Sequence, residues 1–218
     1  MMTATSTTRF SAPMHTVSMH SASSIRMQEE MEAPVNDPNA GKFCFGMAGS
    51  IAPFENFDPM NMLEGKTKEE VMTWREAELT HCRVGMLAAM GFLVQEWSHP
   101  LFNADGGPAI QQMPKLPAGI WLAMIFGVGI AEGFRINKGW NDPTLPDHFF
   151  QKLKPGYTPG DLGFDPLGLK PTDPEEFRIM QTKELQNGRL AMIAAAGFLA
   201  QETATGATWG AAFGVSAN

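Results

Sequence analysis

Two stretches of the sequence combine acidic and basic side chains with apolar residues in a pattern that can hold a metal ion away from water. Residues 78–96 (ELTHCRVGMLAAMGFLVQE) and 184–202 (ELQNGRLAMIAAAGFLAQE) lie 106 positions apart and are identical at 11 of 19 positions. We interpret this similarity as an internal repeat. Each copy places a carboxylate and a guanidinium group among small and apolar residues, where a charge in a lipid environment needs a partner.

The acid and the arginine of one copy are badly placed to neutralise each other. Glu78 and Arg83 are five residues apart, so on a helix they point about 140° away from each other. If the two copies cross about a pseudo-two-fold axis, Glu78 meets Arg189 and Glu184 meets Arg83. Such attraction is stronger in a low dielectric than in water, although desolvation opposes it. A carboxylate paired in this way keeps an oxygen lone pair that can bind a metal.

Further donor groups recur in helical steps of three and four on one side of each copy. His81 and Asn187 occupy equivalent positions, and Gln95 and Gln201 lie near the opposite ends. Small residues such as Gly85 lie between them, which leaves space for a flat ligand. Magnesium accepts oxygen and nitrogen ligands of this kind. Two alternatives stay open: hydrogen bonds between helices for the glutamines, and a buried structural histidine for His81.

The sequence predicts three long helices that position these groups. The first covers about 67–97 and begins at a capping box, Thr67-x-x-Glu70. It would be roughly 45 Å long, longer than a bilayer core of about 30 Å. The second covers about 117–136, and the third about 174–202 behind the N-cap residue Asp173.

The middle helix carries its own acid and base. Glu132 and Arg135 are three residues apart, so they share a face and can pair within the helix. Two loops also repeat: Asp58-Pro59 and Asp165-Pro166 precede the two copies at an offset of 107. The duplicated unit therefore includes a loop, an Asp-Pro turn and a helix.

The distribution of basic residues indicates three membrane crossings. Lysine and arginine are concentrated before the first helix and between the second and third, whereas the first connecting loop has only Lys115 and the C-terminal tail has none. The positive-inside rule then puts the N-terminus and the second loop on one side. We therefore predict an all-α membrane protein with three transmembrane helices, the first and third crossing as a pseudo-two-fold pair with swapped Glu–Arg ion pairs.

The N-terminal segment has a different composition. Residues 1–28 are rich in Ser, Thr, Ala and Met, and no acid occurs before Glu29. This composition is typical of an organelle transit peptide, which we expect to be cleaved near Arg26–Met27; a disordered tail is the alternative. Residues 29–218 then form a single three-helix domain.

Composition also argues against other functions. The net charge of −7 gives no basic patch, so we expect no nucleic-acid partner. Cys44 and Cys82 do not have the spacing of a metal site. No nucleophile–base pair or phosphate loop is evident, so we do not expect an enzyme.

Three motifs in order carry a family resemblance. ExxHxR in the first helix, EGFR in the second and ExxNGRxAM in the third closely resemble the chlorophyll-binding light-harvesting antenna proteins over roughly residues 45–205. The motifs GFDPLGL at 163–169 and HPLF at 99–102 most resemble the red-lineage members, which bind chlorophylls a and c with fucoxanthin- or peridinin-type carotenoids.

The resemblance implies a pigment-binding set. Chlorophyll a and chlorophyll c, with chlorophyll b less favoured, would be held through magnesium, and carotenoids or xanthophylls would lie beside the crossed helices with their ends near the two Asp-Pro turns. Arg83, Arg135 and Arg189 would be the ion-pair partners. The implied magnesium ligands are Glu78, His81, Gln95, Glu132, Glu184, Asn187 and Gln201.

The resemblance further implies a multi-pass antenna in the plastid thylakoid membrane, with a stromal N-terminus. It would contact membrane lipids, neighbouring antenna proteins and the core of photosystem I or II, to which it would pass excitation energy. A photoprotective, energy-dissipating member is the alternative, although the presumed lumenal segments offer only Glu96, Asp105 and Glu202 as acids. A small proton relay or transporter is a rival from another class, and a soluble helical bundle is a third reading.

Overall fold

The computed structural model describes residues 39, 41–98, 107–142, 144 and 152–214. The predicted transit peptide at 1–28, its cleavage point, the HPLF loop and Asp105 lie outside the described residues. Gly41–Asn218 forms one compact unit. Its described part is helical, apart from loops and one isolated antiparallel bridge between Trp140 and Leu153.

The first long helix, α1, spans Lys68–Trp97 and begins at the predicted capping box. The Thr67 hydroxyl accepts a hydrogen bond from the backbone N–H of Glu70, and the Glu70 carboxylate accepts one from the backbone N–H of Thr67 at 2.9 Å. These bonds satisfy backbone donors that the start of a helix leaves unpaired. The predicted range of 67–97 differs from the observed one by a single residue.

The next segment contains short helices where the sequence predicts a loop over residues 98–116. Helix α2 spans Ala109–Gln112, and a 3₁₀ helix spans Met113–Lys115. Four residues are too few to show a helical period. The carboxylate of Glu202 accepts a hydrogen bond from the backbone N–H of Ile110 at 3.0 Å, so a residue far along the chain stabilises this turn.

Helix α3 spans Ala118–Gly139 behind Pro117, and it continues three residues beyond the predicted end at 136. The chain then folds back, and the backbone N–H of Lys154 donates to the carbonyl of Gly139 at 2.9 Å. Together with the Trp140–Leu153 bridge, this contact attaches the loop after residue 152 to the end of α3.

Helix α4 spans Pro174–Thr205, again three residues longer than predicted. The side chain of Asp173 accepts a hydrogen bond from the backbone N–H of Glu176 at 3.0 Å, as expected of an N-cap, and Gly206 ends the helix with a φ of 65°. Helix α5, Trp209–Ala212, follows in the tail. The carboxylate of Glu96 accepts hydrogen bonds from the backbone N–H groups of Trp209 and of Gly210, the latter at 2.9 Å.

Helices α1 and α4 pack against each other at one close crossing. Cys82 is fully buried there, and a Cβ on Gly188 would lie 2.3 Å from the Cβ of Cys82. Leu79 and Leu185 complete a small buried cluster, with Met192 packed against it. The absence of a side chain at Gly188 therefore allows the two helices to approach this closely.

Helix α3 stands apart from this pair. No Cα atom of α3 comes within 8 Å of α1 or α4. Its apolar side chains are exposed on all sides, with Leu122 68% and Phe126 71% accessible. By length and composition, Lys68–Glu96 and Ala118–Gly139 could each cross a membrane; among the described residues these are the two such helices, whereas the sequence predicts three spans. Helix α4 is long enough, but it is not one of the two.

Candidate functional site

Two ion pairs connect the crossed helices α1 and α4. The Nε atom of Arg83 lies 2.8 Å from Oε1 of Glu184, and the Nε atom of Arg189 lies 2.7 Å from Oε1 of Glu78. The acid of each copy therefore meets the arginine of the other copy. The four side chains are between 28% and 37% exposed, so these charges are only partly removed from the surroundings.

Each of these arginines also holds a loop. Arg83 donates through Nη2 to the carbonyl of Gly160 at 2.9 Å, and Arg189 donates through Nη1 to the carbonyl of Gly49 at 2.8 Å. Both glycines have positive φ angles, 82° and 107°, a conformation that favours glycine. In each half of the chain, one guanidinium group therefore binds both a carboxylate and a backbone carbonyl of a turn.

The two carboxylates differ in their second oxygen. Oε2 of Glu78 lies 3.4 Å from Nε of Arg75, a second arginine on the same helix. The position equivalent to Arg75 in the other copy is Gln181. Glu78 is therefore shared by two arginines, whereas the described contacts of Glu184 are with Arg83 alone. The repeat is symmetric in its ion pairs but not in the charge around them.

His81 and Asn187 present their ligating atoms in the same way. Nδ1 of His81 lies 2.8 Å from the carbonyl oxygen of Ala77, and Nδ2 of Asn187 donates to the carbonyl of Lys183 at 2.8 Å. A carbonyl oxygen only accepts, so Nδ1 of His81 carries a hydrogen, and in the neutral ring Nε2 then holds the lone pair. Both side chains are exposed. A histidine nitrogen and an amide oxygen are thus free to bind a metal at equivalent positions.

The acid of the middle helix keeps one oxygen available. Oε2 of Glu132 accepts hydrogen bonds from Nε and Nη2 of Arg135 at 3.0 and 2.8 Å. The sequence predicts this pairing within α3, and the two side chains lie within hydrogen-bonding distance. The Glu132 side chain is 42% exposed, which leaves Oε1 accessible to a ligand.

The two glutamines lie half-buried near the far ends of α1 and α4. Nε2 of Gln201 is buried and makes no hydrogen bond within the described part of the chain. Among the described contacts, nothing supports the predicted alternative that Gln201 bonds across to the other helix.

One expectation about the small residues is wrong. Gly85 was expected to leave a flat surface for a ligand, but it is buried, and an added Cβ would lie 2.8 Å from Cγ of Met192. Further along the pair, the rings of Phe92 and Phe198 have centroids 5.6 Å apart. Gly85 therefore belongs to the contact between α1 and α4, because close approach of two helices needs small residues at the contact.

An apolar groove lies between α1, α3, the start of α4 and the loop around residues 158–165. Its volume is about 1270 Å³, and its walls include Leu79, Leu87, Ile130 and Phe134. Helix α3 does not close this space by direct packing. The volume is large for a soluble protein of this size and suits an extended or flat apolar ligand.

The two Asp-Pro turns are built alike. The Asp58 carboxylate accepts from the backbone N–H groups of Met62 and Leu63, and the Asp165 carboxylate accepts from those of Leu169 and Lys170, at 2.9–3.0 Å. These hydrogen bonds lower the pKa of both carboxyl groups. The duplicated loops therefore share geometry as well as sequence.

Apolar side chains point outward from both turns. The offset of 107 relates each residue of one loop to its counterpart in the other, and all six are more than half exposed. They are Phe57, Met60, Met62, Phe164, Leu167 and Leu169.

Sequence reasoning missed a buried acid on α1. Glu76 is 2% exposed and lies 3.3 Å from Arg135 of the middle helix. It also accepts hydrogen bonds from the hydroxyl of Tyr157 and from the backbone N–H of Gly160. No motif marks Glu76, because its counterpart at an offset of 106 is Thr182. The one available signal was that Glu76 has no basic residue three or four positions away on the same helix.

Residues 43–203, well over half of the chain, match the chlorophyll a/b-binding protein family. The chain belongs to this family. It is 57% identical over 176 residues to a fucoxanthin-chlorophyll a-c binding protein of Isochrysis galbana, an alignment that covers 79% of this chain and 84% of that protein. The predicted resemblance to the light-harvesting antenna family and to its chlorophyll a/c members is confirmed.

Other relatives within the chlorophyll a/b-binding family carry different names. Light-harvesting complex stress-related protein 3.2 of Chlamydomonas reinhardtii is 50% identical over 182 residues, which cover 80% of this chain and 70% of that protein. Chlorophyll a-b binding protein 7 of Solanum lycopersicum is 33% identical over 172 residues, which cover 72% and 61%. Family membership argues against the alternatives of a small proton relay and of a soluble helical bundle.

Proposed function

We propose that this protein is a light-harvesting antenna of the plastid thylakoid membrane, which binds chlorophylls and carotenoids and passes excitation energy to a photosystem. Membership of the chlorophyll a/b-binding family supports this proposal, as do relatives named as chloroplastic. When bound, the pigments supply light absorption and excitation transfer. The protein's own residues hold the pigments at fixed distances and orientations.

The observation that carries the proposal is the shared geometry of His81 and Asn187. Each side chain is fixed by a hydrogen bond to a carbonyl of its own helix, and each leaves a lone pair facing outward. Metal-binding histidines are held in this way by a second hydrogen bond that fixes the tautomer. A purely structural role for His81 does not explain why Asn187, 106 residues away, makes the same hydrogen bond and directs a lone pair outward in the same way.

The proposed magnesium ligands are the acids, the histidine and the amides predicted from the family resemblance. In Glu184 and in Glu132, one carboxylate oxygen takes part in an ion pair and the other remains available to a metal. The arginine of the ion pair offsets the charge of the partly buried acid. Both oxygens of Glu78 lie near an arginine, Oε1 at 2.7 Å from Arg189 and Oε2 at 3.4 Å from Arg75, so a metal would share Oε2 with Arg75. The full set is Glu78, His81, Gln95, Glu132, Glu184, Asn187 and Gln201.

We infer that α1, α3 and α4 all cross the membrane, with the N-terminus in the stroma, and that residues 29–218 form one pigment-binding domain. Helices α1 and α3 are apolar enough to span. Helix α4 is the repeat partner of α1 and packs across it, so the two occupy the same layer. The exposed apolar surface of α3 is favourable in lipid and unfavourable in water.

Chlorophylls a and c with carotenoids are the pigments we propose. The relative from Isochrysis galbana is named for fucoxanthin and chlorophylls a and c. The groove of about 1270 Å³ offers apolar walls for such molecules. A photosystem core and neighbouring antenna proteins are the proposed partners.

Pigment analysis of the purified protein tests the proposal. Purification in mild detergent should yield a coloured complex in which chlorophylls and carotenoids elute with the protein, and excitation of the carotenoid should produce chlorophyll fluorescence. A colourless protein, or pigments without energy transfer to chlorophyll, would contradict the antenna function.

Dissipation of excess excitation is a second candidate function. It is favoured by the 50% identity to a relative named as stress-related. The fluorescence lifetime of the purified complex distinguishes the two candidates. An antenna keeps its lifetime when the pH falls from neutral to mildly acidic values, whereas a dissipating protein shows a marked shortening.

A further inference from the structure

The buried acid Glu76 has no place in the proposed ligand set. It lies on α1, one turn from Thr80, and its side chain is 2% exposed. The repeat does not account for it, since the equivalent residue in α4 is Thr182. A buried carboxylate is costly unless paired and hydrogen-bonded, so its contacts should explain its presence.

The partners of Glu76 come from three parts of the fold. Oε2 accepts a hydrogen bond from the backbone N–H of Gly160 at 2.7 Å and from the hydroxyl of Tyr157 at 3.2 Å. Oε1 lies 3.3 Å from Nη1 of Arg135. Glu76 therefore connects α1 with α3 and with the loop that follows α3.

Arg135 divides its guanidinium group between two acids. Its Nε and Nη2 atoms bind Glu132 at 3.0 and 2.8 Å, while Nη1 reaches Glu76 at 3.3 Å and the hydroxyl of Thr80 at 3.4 Å. A guanidinium group is planar and rigid, so fixing one edge fixes the direction of the other. The orientation of Glu132 thus depends on a residue of another helix.

The loop contact strengthens this connection. Tyr157 is the single tyrosine of the chain, and a Cβ on Gly139 would lie 2.8 Å from its ring. The ring therefore rests on the end of α3 while its hydroxyl reaches α1. Burial and the neighbouring Glu76 raise the pKa of Tyr157 to about 12, so it stays a neutral donor at physiological pH.

We propose that Glu76 is a positioning residue: through Arg135 and Tyr157 it sets the distance and rotation of α3 relative to α1, and so fixes the pigment on Glu132 relative to the pigments on α1. This inference rests on the proposed function. It follows from the separation of α3, whose Cα atoms nowhere come within 8 Å of α1. Without direct helix packing, the polar contacts of Glu76 determine the register.

The test compares absorption and visible circular dichroism of purified variants. The difference between wild type and Glu132→Gln identifies the band of the Glu132 pigment, and the difference between wild type and His81→Phe identifies the band of the His81 pigment. In Glu76→Gln, the Glu132 band should shift or lose more than half of its intensity, while the His81 band is unchanged. Glu69→Gln is the matched control: Glu69 lies on α1, and its ion pair with Lys152 of the loop after α3 is 3.8 Å long and exposed, so it contributes little and both bands should stay unchanged.

Different failures have different signatures. A wild-type protein without pigment would contradict the proposed function itself. A pigmented wild type whose Glu132 band is unaffected by Glu76→Gln would overturn the positioning role alone, and so would equal loss of both bands, which indicates general destabilisation. If Glu76→Gln does not assemble, Tyr157→Phe removes one hydrogen bond and should shift the Glu132 band only; an unchanged band would overturn the inference.

Discussion

Individual ligating groups in this protein are oriented by their own helix. His81 and Asn187 each bond to the carbonyl four residues earlier, which leaves Nε2 of one and the amide oxygen of the other directed outward. The hydrogen bond removes rotational freedom that a ligand would otherwise have to restrict. Pigment orientation can therefore be set by side chains that touch no other element.

Replacing His81 with Phe should remove about one chlorophyll per protein, because phenylalanine offers no lone pair to magnesium. The helix should be retained, since His81 is exposed. Chlorophyll per protein, measured by pigment extraction and amino-acid analysis, checks this. Val84→Phe, one turn away and also exposed, is the control and should leave the count unchanged. An unchanged count in His81→Phe would exclude the ligand role.

The two crossed ion pairs should respond differently to loss of their arginine. Arg83→Leu leaves Glu184 without a described cation, whereas Arg189→Leu leaves Glu78 with Arg75 at 3.4 Å. We expect Arg83→Leu to cost about 1–3 kcal/mol, less than a fully buried pair because both partners are about one third exposed, and Arg189→Leu to cost less. Thermal unfolding followed by circular dichroism in detergent measures both; equal losses would contradict the role of Arg75.

The Asp165 turn should weaken in acid. Hydrogen bonds from Leu169 and Lys170 lower the pKa of Asp165 below the ordinary value of 3.8. A lowered folded-state pKa means that the stabilisation is present above the unfolded value and is lost as the pH falls through the folded value. The difference in melting temperature between wild type and Asp165→Asn should therefore shrink between neutral pH and about pH 3. A difference that is constant over this range would contradict it.

Residue-level prediction was possible where a pattern existed. The sequence predicts pairing of Glu78 with Arg189 and of Glu184 with Arg83, because duplicated charges among apolar residues have few other solutions. Glu76 could not be found, because its partners come from a loop and from another helix and no repeat marks it. The contact of Arg75 with Glu78 was missed for no such reason: the two residues are three positions apart on one helix, the same spacing that predicts the pairing of Glu132 with Arg135.

Among the helices, the close crossing of α1 and α4 depends on glycines, which have no side chain. Gly188 faces Cys82, and Gly85 faces Met192, at distances that no Cβ could occupy without displacement. The sequence predicted both helices and their repeat, but it placed Gly85 beside a ligand. Helical spacing alone cannot tell a ligand surface from a helix contact, since both require small residues.

Gly188→Ala should therefore separate the crossed pair. The added Cβ would lie 2.3 Å from Cβ and 2.6 Å from Sγ of Cys82, and overpacking of this kind costs about 1–3 kcal/mol. The matched control is Gly197→Ala on the same helix, where nothing lies within 4 Å and a small gain in helix stability is expected. Melting temperatures of the two variants check the prediction; a Gly188→Ala protein as stable as wild type would contradict the close crossing.

The short helices α2 and α5 show what the sequence could not reveal. Each is four residues long, and each is capped by an acid from the end of a repeat helix, Glu202 for α2 and Glu96 for α5. The sequence marks these acids only as members of the presumed lumenal segments. Glu202 is 2% exposed, and its carboxylate accepts a hydrogen bond from the backbone N–H of Ile110.

In the whole molecule, the third helix is held by few protein contacts. Helix α3 meets the rest of the described structure through Glu76, Tyr157 and the loop behind it, while an apolar groove separates it from α1. The sequence predicted α3 as a span but could not predict this separation, which depends on what fills the space.

Removing the pigments should loosen the N-terminal half of α3, which is remote from the Glu76–Arg135 contact, and leave the crossed pair together. Spin labels on α1 and on this half of α3 should show a broadened distance distribution after pigment extraction, because the groove loses its contents. Labels on α1 and α4 should keep their distance, since direct packing and two ion pairs join these helices. Electron paramagnetic resonance measures both distances, and an unchanged α1–α3 distribution would show that protein contacts alone hold α3.

Each arginine of the crossed pair binds only groups from the other half of the chain. Arg83 takes its carboxylate and its loop carbonyl from residues 184 and 160, and Arg189 takes its own from residues 78 and 49. Neither half supplies the carboxylate that its own arginine of the crossed pair binds. A half-length polypeptide made of one unit would therefore need a second copy of itself to supply the carboxylate for its arginine. The present chain has the form of such a homodimer joined end to end.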